Sequence, residues 1–101
     1  MDPERSSISK ADVVIASAGR DQGKLFFVLT AEDEFLLLVN GKDRTLEKPK
    51  RKKRKHVQKV LRAETGVAEK IRKGDKVLNS ELRRDLAFLS REMQSNDLGG
   101  F

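Results

Sequence analysis

Three apolar stretches lie so close together that the chain has few ways to pack them. Residues 12–17 (Asp-Val-Val-Ile-Ala-Ser), 24–30 (Lys-Leu-Phe-Phe-Val-Leu-Thr) and 35–39 (Phe-Leu-Leu-Leu-Val) carry the β-branched, leucine and aromatic content of strands. Only a glycine-flanked turn, residues 19–23, and an acidic one, Glu32-Asp33-Glu34, separate them. Links this short join antiparallel neighbours, because a parallel pair needs a crossover of about a dozen residues or more. Asn40-Gly41 follows and signals a hairpin, since both residues tolerate positive φ. The pattern predicts a short fourth strand over 44–47, ended by Pro49.

The second and third strands are apolar on both sides of the pleat. Leu25, Phe27 and Leu29 point one way, Phe26 and Val28 the other. A sheet with one wet face alternates more clearly, so a further element must cover the outer side. The C-terminal region supplies it. Thr65 caps a helix over 66–73, with Val67 and Ile71 on one face and Gly74 as its stop. Asn79 caps a second over 80–94, in which Leu82, Leu86, Leu89 and Met93 form one stripe. This stripe reads as barrel-covering core, with a contact between copies as the second reading. The expected division is a flexible lead over 1–9, a β domain over 10–60 that includes the basic segment 48–60, a helical extension over 61–94 and a frayed tail over 95–101.

Residues 17–24, Ser-Ala-Gly-Arg-Asp-Gln-Gly-Lys, invite comparison with the phosphate loop of nucleotide hydrolases. That loop places four residues between its glycines, follows Gly-Lys with Ser or Thr, and opens a helix. Here three residues separate Gly19 from Gly23, Leu25 follows Lys24, and the next element is a strand. Spacing, missing hydroxyl and context all disfavour a nucleotide site.

Charge is distributed unevenly. The formal net charge is +6, yet residues 1–47 and 63–101 contribute none of the excess: they hold six and seven basic residues against nine and seven acidic ones. Residues 48–62 hold nine basic residues and no acidic one. Within them runs Lys48-Pro49-Lys50-Arg51-Lys52-Lys53-Arg54-Lys55-His56. Such a block reads as a polyanion contact, a nuclear-import address or a solvated linker. Nucleic acid is favoured, because adjacent cations without a partner repel one another and phosphate contact needs little beyond this density of charge.

No Trp or Tyr is present, and the five Phe do not interleave with the cations as they do in single-strand binders. Recognition is therefore expected to be of backbone and shape, with folded or duplex RNA favoured. Phe26 and Phe27 read as core, with an exposed stacking platform as the lesser alternative. His56 is the only histidine and there is no Cys, so no usual zinc site can be assembled. No paired acid, nucleophile or metal constellation stands out, and the acidic turn is assigned no role. The expectation is a non-enzyme without cofactor. No apolar run reaches the roughly 20 residues of a membrane span, and the N-terminus has no signal-peptide core, so the expected setting is the cytoplasm, with no membrane partner. Oligomeric state is left open.

Residues 13–24, Val-Val-Ile-Ala-Ser-Ala-Gly-Arg-Asp-Gln-Gly-Lys, with the apolar strand after them, resemble the KOW motif. Gly41-Lys42-Asp43-Arg44-Thr45-Leu46-Glu47-Lys48-Pro49-Lys50, followed by Lys55-His56-Val57, is similar to the KOW ribosomal-protein family of archaeal and eukaryotic large subunits and to its small bacterial RNA-binding relatives. The resemblance covers about residues 9–60. It implies a mainly β fold, a small SH3-like barrel of about five strands whose last strand lies near 54–60, followed by the two helices. It implies RNA contacts from Gly19, Arg20, Gln22, Gly23 and Lys24 in the loop, Lys42 and Arg44 after the hairpin, and Lys48, Lys50, Arg51, Lys52, Lys53, Arg54, Lys55 and His56. The implied partner is structured RNA, ribosomal RNA foremost, in association with the large subunit. A protein-binding module of the transcription or translation machinery is the alternative, since some KOW domains bind protein.

Overall fold

The computed structural model describes residues 8–99, with side chains as far as Gln94. Five strands, β1 (Asp12–Ala16), β2 (Leu25–Ala31), β3 (Phe35–Val39), β4 (Lys50–Lys53) and β5 (Val57–Arg62), form one antiparallel sheet in the order β4-β3-β2-β1-β5. A 3-10 turn, Arg54–His56, joins the two edge strands. Two helices follow, α1 (Gly66–Lys73) and α2 (Asn79–Gly99). The edges β4 and β5 are not paired, so the sheet curls as an SH3-like barrel does but stays open. Two register shifts assist the curl. Leu29 is left out of the β2–β3 ladder and Val60 out of β1–β5, and an unpaired extra residue bends its strand and increases local twist.

The two faces of the sheet build two apolar clusters. Val14, Ala16, Phe26, Val28, Leu36, Leu38 and Val57 fill the inner face together with Ile8. Val13, Phe27 and Val39 lie on the outer face against Ala68 and Ile71 of α1 and Leu82 and Leu86 of α2. The expected split of Phe26 from Phe27 is borne out, and both rings are fully buried. Each contributes about 1.5–3 kcal/mol by leaving water. The helical extension covers the outer face as the double-sided apolar pattern requires.

Several boundaries differ from the sequence reading. Residues 44–47 form no strand; an isolated bridge joins Thr45 to Lys48, and β4 begins at Lys50. The reason is Asn40. Its side-chain oxygen accepts from the N–H groups of Lys42 and Arg44, both at 3.0 Å, so the chain wraps around this residue and needs a long loop. β5 starts at Val57, because Arg54–His56 forms the 3-10 turn. Asn79 does not cap α2. Its side-chain oxygen accepts from Leu46 N–H at 2.9 Å and its amide donates to Glu47 at 2.9 Å, while Glu81 accepts from the N–H of Leu78. Asn79 thereby ties the start of α2 to the β3–β4 loop. Thr65 does cap α1, accepting from Ala68 N–H at 3.2 Å, and Gly74 ends it in the left-handed conformation. α2 runs on to Gly99 where a frayed tail was expected; residues 100–101 lie outside the described part. So do residues 1–7 of the expected lead, while Ile8 is buried in the inner cluster.

Candidate nucleic-acid interface

The glycine-flanked loop is a turn between β1 and β2. Gly23 N–H returns to Ala16 C=O at 2.8 Å and Lys24 N–H to Asp21 C=O at 2.9 Å. Gly23 has φ +88 with open space where a Cβ would sit, so it is required by conformation and not by crowding. Arg20 and Gln22 are exposed at the tip. Asp21 is not: it turns inward and accepts from Arg44 at 2.8 Å, with Lys24 3.6 Å away. Burial pushes its carboxyl up, but the Arg44 hydrogen bond and the charges of Arg44, Lys24 and Lys52 outweigh this and hold it below the ordinary range.

Lys24 reaches across to Asp43, which Asn40 also supports at 2.8 Å. The two hydrogen bonds, from Lys24 first, hold Asp43 at about 2 against an ordinary 3.8. The β1–β2 and β3–β4 loops are thus latched by two ion pairs, Asp21–Arg44 and Asp43–Lys24. Both carboxylates bind fewer protons folded than unfolded, so stability rises with pH through their titration. The latch is complete above about pH 4–5 and is lost as pH falls toward 2. Asp43→Asn should therefore flatten the acid limb of a stability–pH curve between about pH 5 and 2, while leaving the neutral limb's shape unchanged.

The basic run divides by strand alternation. β4 pairs Leu36 with Lys52 and Leu38 with Lys50, and on the opposite face Phe35 with Lys53 and Leu37 with Arg51. Lys52 lies on the inner face and is 8% exposed. Its ammonium donates to Ala18 C=O at 2.7 Å, which pins β4 against the β1–β2 loop. Arg54 donates to Glu32 C=O and Ile8 C=O, both at 2.8 Å, and so clamps the β2–β3 turn and the entering chain. His56 is half-buried, and its carbonyl accepts from Ser17 N–H at 2.8 Å. Lys24, Arg44, Lys52 and Arg54, all expected at an RNA surface, are thus engaged within the fold.

Among the described residues, the side chains of Arg20, Lys42, Lys48, Lys50, Lys53 and Lys55 have no ion-paired or hydrogen-bonded partner. The loop latch and the Lys52 anchor hold the segments bearing them side by side. Lys53 and Lys55 border a hollow of about 390 Å³ that Asp33 and Glu34 close on the other side. A second hollow, about 540 Å³, lies between the latched loops and α2, with Lys24, Lys42 and Arg83 at its rim.

Two features escaped the sequence reading. Arg51 stacks on Phe35, its guanidinium carbon 3.7 Å from the ring centroid. The signal was a phenylalanine opening a strand whose neighbour is the basic run, and it was hidden by the misplaced fourth strand. Asp21 as an internal counter-ion was also not foreseen. Among the described residues no group of three His, Asp or Glu is placed to hold a metal ion, and no helix is long and apolar enough to cross a membrane. No protein-family model matches the chain, and no curated protein matches it significantly.

Proposed function

We propose that the chain is a non-enzymatic, cytoplasmic RNA-binding protein of KOW type that holds structured RNA, ribosomal RNA foremost, in association with the large subunit. One observation carries the reading. Six cations of the β1–β2 and β3–β4 loops, β4 and the turn after it, Lys48, Lys50, Lys53 and Lys55 with Arg20 and Lys42, have no partner among the described residues and lie on segments fixed next to one another, whereas their neighbours Lys52 and Arg54 are consumed internally. A merely solvated linker would not be a strand of the sheet. The rigid β1–β2 turn sets the register of Arg20, and the β4 lysines supply affinity through phosphates.

About five phosphate contacts should give a log–log salt dependence with slope about −4 to −5. A titration of a folded RNA from low to moderate salt measures it, and a flat response overturns the mechanism. Nuclease treatment of a lysate should release the protein from fast-sedimenting particles. Retention after nuclease would instead favour a protein partner.

A further inference from the structure

The outer face of β3–β4 differs from the rest of the sheet. Phe35 and Leu37 belong to neither apolar cluster, and their cross-strand partners are Lys53 and Arg51. The core that the helices build on the outer face does not extend to this corner. Arg51 lies over the Phe35 ring at 3.7 Å. At that separation the guanidinium lies flat against the ring, because an edge-on approach would drive a nitrogen into it. Its Nε edge faces Glu32 at 3.6 Å, and the side chain is still 58% exposed. The guanidinium is thus seated on the ring with a carboxylate near its Nε, and more than half of the side chain stays open to solvent.

We infer that the Arg51–Phe35 stack is a platform for a single unpaired nucleobase, with Lys53 on the same face to meet the adjoining phosphate. A guanidinium plane stacks on a base as an aromatic ring does. Here the ring contact already restrains it, so less side-chain freedom is lost on binding. This inference rests on the RNA-binding reading and sharpens it. The ligand is a structured RNA that presents one extruded base, at a bulge or loop, beside the phosphates held by β4. An uninterrupted duplex would leave the platform empty.

Three RNAs test it: a fully paired duplex, the same duplex with one bulged adenosine, and that bulged duplex made abasic at the bulge. The wild type should bind the bulged adenosine about 5- to 150-fold more tightly than the abasic form, the range for stacking one base. Arg51→Lys keeps the charge and loses the plane. It should close that gap while leaving affinity for the paired duplex within about twofold, because a lysine still meets the phosphates. Phe35→Leu should narrow the gap by freeing the guanidinium. With 2-aminopurine at the bulge, wild type should change the fluorescence on binding and Arg51→Lys should not. Equal binding of bulged and abasic RNA by the wild type overturns the platform, as does a gap that survives in Arg51→Lys. If those RNAs still bind with steep salt dependence, the phosphate-contact reading stands without it. If no RNA binds, both fall.

Discussion

Gly41→Ala should lower the unfolding free energy by about 2–5 kcal/mol. Gly41 has φ +76, where a side chain costs roughly 1–2 kcal/mol. A Cβ there would also lie 2.2 Å from the Asn79 carbonyl oxygen and 3.0 Å from the Leu82 Cβ. Neither can give way cheaply. The first is backbone at the start of α2, and the second belongs to a fully buried side chain. Relief requires α2 to back off the sheet, which opens the outer cluster and breaks the Asn79–Leu46 and Arg83–Gly41 hydrogen bonds. Gly23→Ala is the control. Its φ is +88 but nothing lies within 4 Å of the added carbon, so only the conformational cost of about 1–2 kcal/mol remains. Urea denaturation of the two variants separates strain from collision. Equal losses would mean that α2 does not press on the loop.

The triple change Lys50→Gln, Lys53→Gln and Lys55→Gln should weaken RNA binding by about 10²-fold near 0.15 M salt, with stability nearly unchanged. Each lost phosphate contact removes close to about 0.9 from the log–log slope, or about fivefold in affinity at that salt concentration. The slope itself should become shallower by about 2.7. Lys52→Gln removes the same charge from the same strand but should show the opposite signature. Its ammonium is a buried donor to Ala18, so the loss falls on stability, by about 1–3 kcal/mol. The remaining salt slope should stay close to that of the wild type. Thermal melts and salt titrations on both variants make the comparison. A Lys52→Gln protein that is fully stable and loses as much affinity as a single change at Lys53 or Lys55 would contradict the division of the run.

That division shows where sequence reasoning stopped. The faces of β2 and β3 were legible because Phe26 and Phe27 are both apolar, which demands cover on both sides. The ends of α1 were legible because Thr65 and Gly74 each act through their own local geometry. β4 was not, because its place is set by how Asn40 organises the loop before it, a side-chain choice that composition does not reveal. Once register is unknown, a run of cations is undivided. A slip of one residue would exchange Lys52 for Arg51 or Lys53 on the inner face. The Arg51–Phe35 stack is a product of that register, as is the role of Asp21, whose partner Arg44 is 23 positions away.

The order of elements along the chain also has a consequence during synthesis. Every strand is made by Arg62, but Phe27, Val13 and Val39 on the outer face acquire their main cover only when Leu82 and Leu86 of α2 follow. At about 5–20 residues per second, the finished sheet carries a bare apolar face for a few seconds. A chain truncated after β5 should therefore be a ligand for holding chaperones, and one that extends beyond α2 should not be.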